Sequence, residues 1–334
     1  MNRPTPAADT EPSHEAMEQA ASWYALLRSG EATGKEREAW QTWLHDREDN
    51  RHAWGYVEAV SQRFSPIQTT AAPRQAADSI WSANTRTLQR RRVLTSIATL
   101  AGAGLLGWGS WQHTSLPVIA RSWRADHRTA TGERREVTLT DNTHVWLNTA
   151  TAISENFDDR QRRLQLITGE ILVDTASDTA RRFVVDAPYA RLTALGTRFT
   201  VHMDTSSTLL AVFEGAVEVK HAKGSRSLVE AGQQIRFDAS GTGKLEPADS
   251  AREAWSRGLL VAQDIPLAQL VKELRRYRHG HLGVAPEIAD LRVFGSFPLD
   301  DPNAALDLLA YALPVRIQRT LPWWTSLEVA APTE

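Results

Sequence analysis

His279-Gly280-His281 is the tightest grouping of side chains in this sequence that could ligate a metal. The two imidazoles are too close-set, and too isolated from other donors, to form a metal site. The remaining histidines are scattered, and cysteine is absent. That absence removes disulfides, Cys-ligated zinc and a thiol nucleophile in one step, but it leaves the compartment open. No hydroxyl, imidazole and carboxylate recur at a spacing that marks a nucleophile with its base. The chain is therefore not expected to be a turnover enzyme, and no metal or cofactor is expected. With 38 basic and 40 acidic residues, the overall charge points to no nucleic acid or acidic ligand.

The pattern with a definite physical consequence is Arg90-Arg91-Arg92, followed by residues 93–111, which carry no charge. Lys, Arg, Asp and Glu do not return until Arg121. About 20 apolar residues cross a hydrocarbon layer of roughly 30 Å. Gly102, Gly104, Gly107 and Gly109 would weaken a soluble helix but are tolerated in a membrane, and Trp108 and Trp111 fall where an interfacial belt would lie. A buried core helix is the competing reading, although such helices are usually shorter and rarely abut three arginines. Arg86, Arg90, Arg91 and Arg92 crowd the upstream end, so the positive-inside rule leaves residues 1–92 in the cytoplasm and sends residues 112–334 across. The same arginines resemble a twin-arginine export signature, or act only as topology determinants.

Elements on either side must serve that span. Residues 1–14 are polar and proline-rich, a loose tail without the apolar core of a signal peptide. Residues 15–88 are expected to be helical. Met17, Ala20, Ala21, Tyr24 and Leu27 share one helix face, and Ser29-Gly30 ends it. Thr33 and Glu36 form a capping-box pattern for a second helix bearing Trp40, Trp43 and Leu44. Ala53, Val57, Val60 and Phe64 stripe a third beside Trp54, and a weaker fourth covers 74–88. So small a bundle cannot readily hide four tryptophans, so Trp23, Leu27, Trp40, Trp43, Leu44 and Trp54 are candidates for a partner-binding face. Each tryptophan taken singly could equally be core. Interleaved Glu31, Glu36, Glu38, Asp46, Glu48 and Asp49 argue against direct nucleic-acid binding.

From residue 125 to 240 the period falls from 3.6 to 2. Val137/Leu139, Val145/Leu147, Leu164/Leu166, Ile171/Val173, Val217/Val219 and Ile235/Phe237 alternate between turn residues. That predicts an all-β sandwich, barrel or solenoid-like stack. A linker is expected over 241–249, and then a small α/β module over 255–325. Its first helix follows Pro266 with Leu267, Leu270 and Leu274 inward; its second follows Asp301-Pro302 with Ala305, Leu308, Leu309 and Ala312 inward. Strands are expected near 283–285, 292–297 and 315–319. The fold class is thus multidomain α + β: a helical bundle, one transmembrane helix over 93–111, an all-β domain and a small α/β module.

Several of these stretches resemble one family over nearly the whole length. They are Trp23-Tyr24-Ala25-Leu26-Leu27-Arg28-Ser29-Gly30, Trp40-Gln41-Thr42-Trp43-Leu44, Arg51-His52-Ala53-Trp54, Gly132 to Leu139, Leu147-Asn148, Gly169-Glu170, Phe183-Val184-Val185, and Leu195-Gly196-Thr197-Arg198-Phe199-Thr200-Val201. The chain resembles the FecR-family transmembrane sigma-factor regulators of Gram-negative cell-surface signalling. Asp141-Asn142-Thr143 departs from the family's Asp-Gly, though Asn tolerates a positive φ. Trp255-Ser256-Arg257-Gly258-Leu259 through Pro266-Leu267 is similar to the secretin/TonB-receptor amino-terminal module. The resemblance implies a cytoplasmic extracytoplasmic-function sigma factor as one partner. It implies a TonB-dependent outer-membrane receptor's signalling domain, typically one loaded with an iron chelate, as the other. It places the chain in the bacterial inner membrane, single-pass, amino end inside, touching lipid through one span. It also implies self-cleavage between Gly196 and Thr197, by attack of the Thr197 hydroxyl on the Gly196 carbonyl; otherwise Gly196 is a turn before a strand. A membrane-anchored scaffold or glycan-binding β-domain, or a periplasmic hydrolase, remains as an alternative at this point.

Overall fold

Ser13 sets where the first helix begins, because its side chain accepts from the Ala16 N–H. In this computed structural model, which describes residues 12–30, 32–68, 122, 125–178 and 180–330, helix α1 (His14–Ser29) therefore opens one residue into the expected tail. It stops at Gly30, whose φ of 81° needs no Cβ. Helix α2 (Gly34–Asp46) starts at the expected capping box, with Thr33 and Glu36 each satisfying the other's backbone N–H. The Thr33 hydroxyl and N–H hold the Glu36 carboxyl below its usual range. Helix α3 (Glu48–Gln68) buries Ala53, Val57 and Val60. The expected helix over 74–88, Arg90, Arg91 and Arg92, and the candidate span over 93–111 lie outside the described residues. Among the described residues, no helix is long and apolar enough to cross a membrane.

The β region runs β1 (His127–Arg128), β2 (Arg135–Thr138), β3 (His144–Leu147), β4 (Ala152–Phe157), β5 (Gln161–Thr168), β6 (Glu170–Asp174), β7 (Arg182–Ala187), β8 (Ala190–Ala194), β9 (Arg198–Met203), β10 (Ser207–Glu214), β11 (Ala216–His221), β12 (Arg226–Glu230), β13 (Gln233–Asp238) and β14 (Thr242–Pro247). These make two seven-stranded sheets, ordered β1-β4-β5-β7-β8-β11-β12 and β14-β13-β10-β9-β6-β3-β2. Their inward residues share one core, including Leu164, Phe183 and Val217 from the first and Val145, Ile171, Phe199 and Ile235 from the second. Of the architectures left open by the sequence, this is the sandwich. Asn142 takes φ 64° in the turn between β2 and β3, so asparagine does fill the position.

The linker expected over 241–249 is mostly strand. β14 pairs with β13 along the sheet edge, Gln233 opposite Pro247 and Phe237 opposite Thr242. Its residues are nearly all exposed. With no apolar alternation to betray it, only backbone pairing makes it a strand.

After a 3-10 turn over Ser250–Arg257, the C-terminal unit comprises β15 (Leu259–Pro266), α4 (Leu267–Arg275), β16 (His281–Val284), β17 (Arg292–Pro298), α5 (Pro302–Ala312), β18 (Val315–Leu321) and β19 (Trp324–Val329). β15 pairs with β17, while β16, β19 and β18 form a separate sheet. Leu267, Leu270 and Leu274 are fully buried. Leu308 is not: it is 46% exposed, and α5 buries Ala305, Leu306 and Leu309 instead. Ala305 and Leu309 of the expected stripe are buried, but Leu306 completes it on one flank where Leu308 and Ala312, both exposed, were expected on the other.

Two joints hold these units together. Leu172, on the outer face of β6, belongs to the C-terminal core, with Trp146 and Phe213 packed beside it. At the opposite side of that unit, Trp324 joins Ala16, Met17, Ala20, Ala21, Ala53 and Val57 in a third cluster. The helical bundle therefore sits on the C-terminal sheet.

Candidate functional site

The bundle packs its aromatic rings against one another without hiding any of its tryptophans fully. Helix α2 buries no residue fully; Trp40, Trp43 and Leu44 on it are half-buried, as are Trp23 and Leu27 on α1 and Trp54 on α3. Trp40 and Trp54 rings lie 5.0 Å apart and tilted by 55°, and Tyr24 stands 5.9 Å from Trp54. The Trp43 indole N–H donates to Gln19 Oε1 at 2.6 Å, and the Trp43 carbonyl accepts from Asn50 Nδ2 at 2.7 Å. These bonds fix α2 in place, yet its apolar side remains partly open. Such a face suits a protein partner whose own apolar residues complete the burial.

The Gly196–Thr197 peptide lies between β8 and β9. Gly196 takes φ 71°, a conformation that costs any other residue about 1 to 2 kcal/mol. Thr197 is 4% exposed, and its hydroxyl oxygen is buried without a hydrogen-bond partner. The Thr197 N–H donates to Thr175 Oγ1 at 2.8 Å, while the Thr197 carbonyl accepts from the Thr175 N–H at 3.1 Å and from its hydroxyl at 3.2 Å. Thr175 thus pins the segment from both sides. A Cβ on Gly215 would come within 2.3 Å of the Gly196 carbonyl oxygen and 2.8 Å of Thr197 Cγ2, so the peptide is pressed against bare backbone. Arg198, next in line, reaches Glu253 at 2.9 Å and Asp174 at 3.2 Å. The arrangement sets a carbonyl in a backbone conformation suited to glycine beside an unpartnered, buried hydroxyl on the next residue. Among the described residues, no base is bonded to that hydroxyl.

A polar latch that the sequence did not single out joins the sandwich to the C-terminal unit. Glu170 is 4% exposed; its Oε2 accepts from Arg276 Nη2 at 2.6 Å and from Asn148 Nδ2 at 2.8 Å. Tyr277 Oη donates to Asn148 Oδ1 at 2.8 Å, and Thr149 Oγ1 donates to the Arg276 carbonyl at 3.0 Å. Burial alone would raise the Glu170 carboxyl, but the charges of Arg276 and His202 and the bonds from Arg276 and Asn148 outweigh it and hold it low. Burial raises the Tyr277 phenol, and the nearby Glu170 charge adds to that. Glu170 already stood out only as part of a Gly-Glu turn; nothing in the sequence paired it with residues so far away.

At the joint between bundle and C-terminal sheet, Glu18 accepts from Trp324 Nε1 at 2.7 Å and also from the Ser326 hydroxyl. His14 Nε2 lies 3.1 Å from Glu328 Oε1. Trp323 meets Tyr24 edge-on at 5.8 Å. The Trp323-Trp324 pair was visible in the sequence; its being covered by a helix more than 300 positions away was not. His279-Gly280-His281 forms no metal cluster with other residues among those described. His281 stacks on Trp324 at 3.8 Å, and burial lowers it to about 3.

Comparison with known proteins places names on these parts. Residues 125–218 match the FecR protein domain, and residues 18–60 match DUF4880, a domain of unknown function. Two crystal structures of a candidate anti-sigma factor from Parabacteroides distasonis ATCC 8503 share the fold. Each is 23% identical and covers 61% of this chain; one gives a TM-score of 0.52 over 99% of that protein, the other 0.50 over 98%. No curated protein matches the chain.

Proposed function

We propose that this chain, of the FecR family by the domain it carries, is an anti-sigma regulator that grips an extracytoplasmic-function sigma factor through its helical bundle. The observation that carries the reading is α2: a capped, well-held helix that buries none of its residues fully and presents Trp40, Trp43 and Leu44 half-covered. A helix serving only its own bundle would have no need of that surface. The match of residues 18–60 places this face inside a unit that accompanies the FecR domain here. The fold shared with candidate anti-sigma factors agrees with it.

The finer reading follows from the sequence. Residues 93–111 cross the inner membrane once, and Arg90, Arg91 and Arg92 keep the bundle in the cytoplasm. The sandwich and the C-terminal unit then lie in the periplasm. There the C-terminal unit receives a signal from a TonB-dependent receptor's signalling domain, in iron-chelate uptake, and the bundle releases or activates its sigma factor. Cleavage at Gly196–Thr197 is a single self-processing event. The Thr197 hydroxyl adds to the Gly196 carbonyl, the amide C–N bond breaks, and the hydroxyl proton passes to the freed Thr197 amine. Water then opens the resulting ester, giving a Gly196 carboxylate and restoring the hydroxyl. The latch between Glu170 and Arg276 keeps the two periplasmic units moving as one.

This topology has a sharp consequence. A chain that crosses the bilayer at 93–111 cannot set α1 of its own bundle on its own C-terminal sheet, because the two stand on opposite sides. The function is tested by capture: full-length chain in membranes is used to retain each purified sigma factor of the extracytoplasmic class in turn. Retention of one of them, lost when Trp40 and Trp43 are replaced by alanine, supports the reading. Retention of none by the intact chain refutes it.

A further inference from the structure

The outer face of the C-terminal sheet is built around a carboxylate. In β19, Leu327 points into the unit's own core, so Trp324, Ser326 and Glu328, at alternate positions along the strand, share the other side. On that side the Trp324 indole N–H and the Ser326 hydroxyl donate to Glu18 Oε1, and the Thr320 hydroxyl of β18 donates to Glu18 Oε2 at 3.4 Å. Three uncharged donors from two strands thus converge on one carboxylate. Trp324 is nonetheless 0% exposed, although it faces away from the core of its own unit. What hides it is Ala16, Met17, Ala20 and Ala21 of α1 together with Ala53 and Val57 of α3, and Tyr56 of α3 also stands edge-on to the indole at 6.1 Å. Ala21, three positions after Glu18 and so on the same side of α1, adds no bulk between helix and indole. His281, the register partner of Trp324 in β16, stacks against the indole at 3.8 Å on the same face of the sheet.

In the two-compartment reading above, on which this inference rests, α1 is absent from the periplasm, and this face stands open with a large aromatic ring and three unsatisfied donors. An exposed surface of that kind is an interaction site. We propose that the outer face of β18 and β19 is a helix socket, and that its occupant is an amphipathic helix of a periplasmic protein partner. That helix carries one Glu or Asp with a small residue three positions later, on the same helix face, as Glu18 and Ala21 of α1 do. The carboxylate enters the Trp324–Ser326–Thr320 donors, and the small residue leaves room for the indole. Helix α1 shows the fit, because it is the same chemistry seated in the site.

The test uses full-length chain in spheroplasts, with the periplasmic side facing the medium, and a fluorescent peptide of residues 13–29 as the probe. The peptide is expected to bind saturably. A Glu18→Gln peptide, which keeps an acceptor but loses the charge, binds about tenfold more weakly. Ser326→Ala in the chain also weakens the native peptide, and Tyr311→Ala, at a 93% exposed position on α5, leaves it unchanged. Absence of saturable binding, or equal binding of the Glu18→Gln peptide, overturns the socket. A second arm separates this from failure of the topology. The chain has no native cysteine, so Glu18→Cys with Ser326→Cys gives a clean pair for a short thiol crosslinker in intact membranes. An intrachain crosslink means that α1 itself is the occupant and both faces share one compartment, which refutes the topology and the proposal together. No crosslink and no peptide binding refutes the socket alone.

Discussion

Replacing Arg276 with alanine probes whether the sandwich and the C-terminal unit are one mechanical body. The substitution strips Glu170 of its bond at 2.6 Å and leaves the carboxylate with only Asn148, at a position 4% exposed. Breaking a buried pair in this way costs about 3 to 5 kcal/mol. Because the Arg276 side chain is 23% exposed, water reaches its end of the pair, and the lower part of that range is expected. For a folded unit of this size a loss of about 3 to 4 kcal/mol corresponds to a Tm lower by roughly 6 to 16 °C. The pH dependence gives a second and sharper reading. In the native chain the Glu170 carboxyl is held low, so its contribution is present above the unfolded carboxyl's pKa and is lost as pH falls through the folded value. Without Arg276, burial dominates and raises the folded value above the unfolded one. The sign then reverses: the variant is least stable near neutral pH, and its deficit shrinks on acidification. Glu170→Gln combined with Arg276→Met should recover most of the loss, since neither charge is then buried alone. The assay is tryptophan-fluorescence unfolding of the purified chain between pH 4 and 8. A Tm within 2 °C of the native chain, or a deficit that grows as pH falls, would refute the reasoning.

On an immunoblot of a doubly tagged chain the native sequence should give two fragments, Thr197→Ala one full-length band, and Thr197→Ser the fragments again; fragments from the alanine variant, or none from the native chain, would rule out the acyl shift. Gly215→Ala, which drives a Cβ to 2.3 Å from the Gly196 carbonyl oxygen, should abolish cleavage and lower Tm together, and unchanged fragments would show that this packing does not set the geometry. Trp43→Ala should weaken sigma-factor binding by at least about tenfold, as a central aromatic contact does. Leu308→Ala, on the exposed side of α5, should not change it.

How far the residues spoke for themselves differs from element to element. Thr33 and Glu36 announced the start of α2 because a capping box is local, closing within a single turn. Gly30 ended α1 and Asn142 took the positive φ for the same reason: each depends on its own backbone alone. The alternation of Val145 with Leu147, or Ile171 with Val173, declared strands with one buried face. It could not declare that Leu172, between the last two, is also fully buried, because what covers it is a unit that begins far downstream. β14 escaped notice because an exposed edge strand satisfies its backbone without any apolar pattern. Leu308 was misplaced because Leu306 and Leu308 flank the Ala305–Leu309 stripe on opposite sides, and only tertiary packing chose the Leu306 side.

The candidate sites divide along the same line. Gly196 and Thr197 were legible as a pair, since a glycine before a hydroxyl residue is written in the chain. That the hydroxyl is buried and unpartnered, and that Gly215 presses on the carbonyl, required β8, β9 and β11 to be brought together. The tryptophans of the bundle could be counted; their remaining half-covered on α2 depended on how three helices pack. Sequence alone determined what is local or periodic: caps, turns, the switch from helical to strand spacing, and the uncharged run after Arg92. Tertiary structure alone decided the Glu170–Arg276 latch and the convergence of Trp324, Ser326 and Thr320 on one carboxylate. A hydrogen bond between side chains more than a hundred positions apart leaves no trace in spacing, because its energy is realised only when folding has brought both ends out of water to the same place.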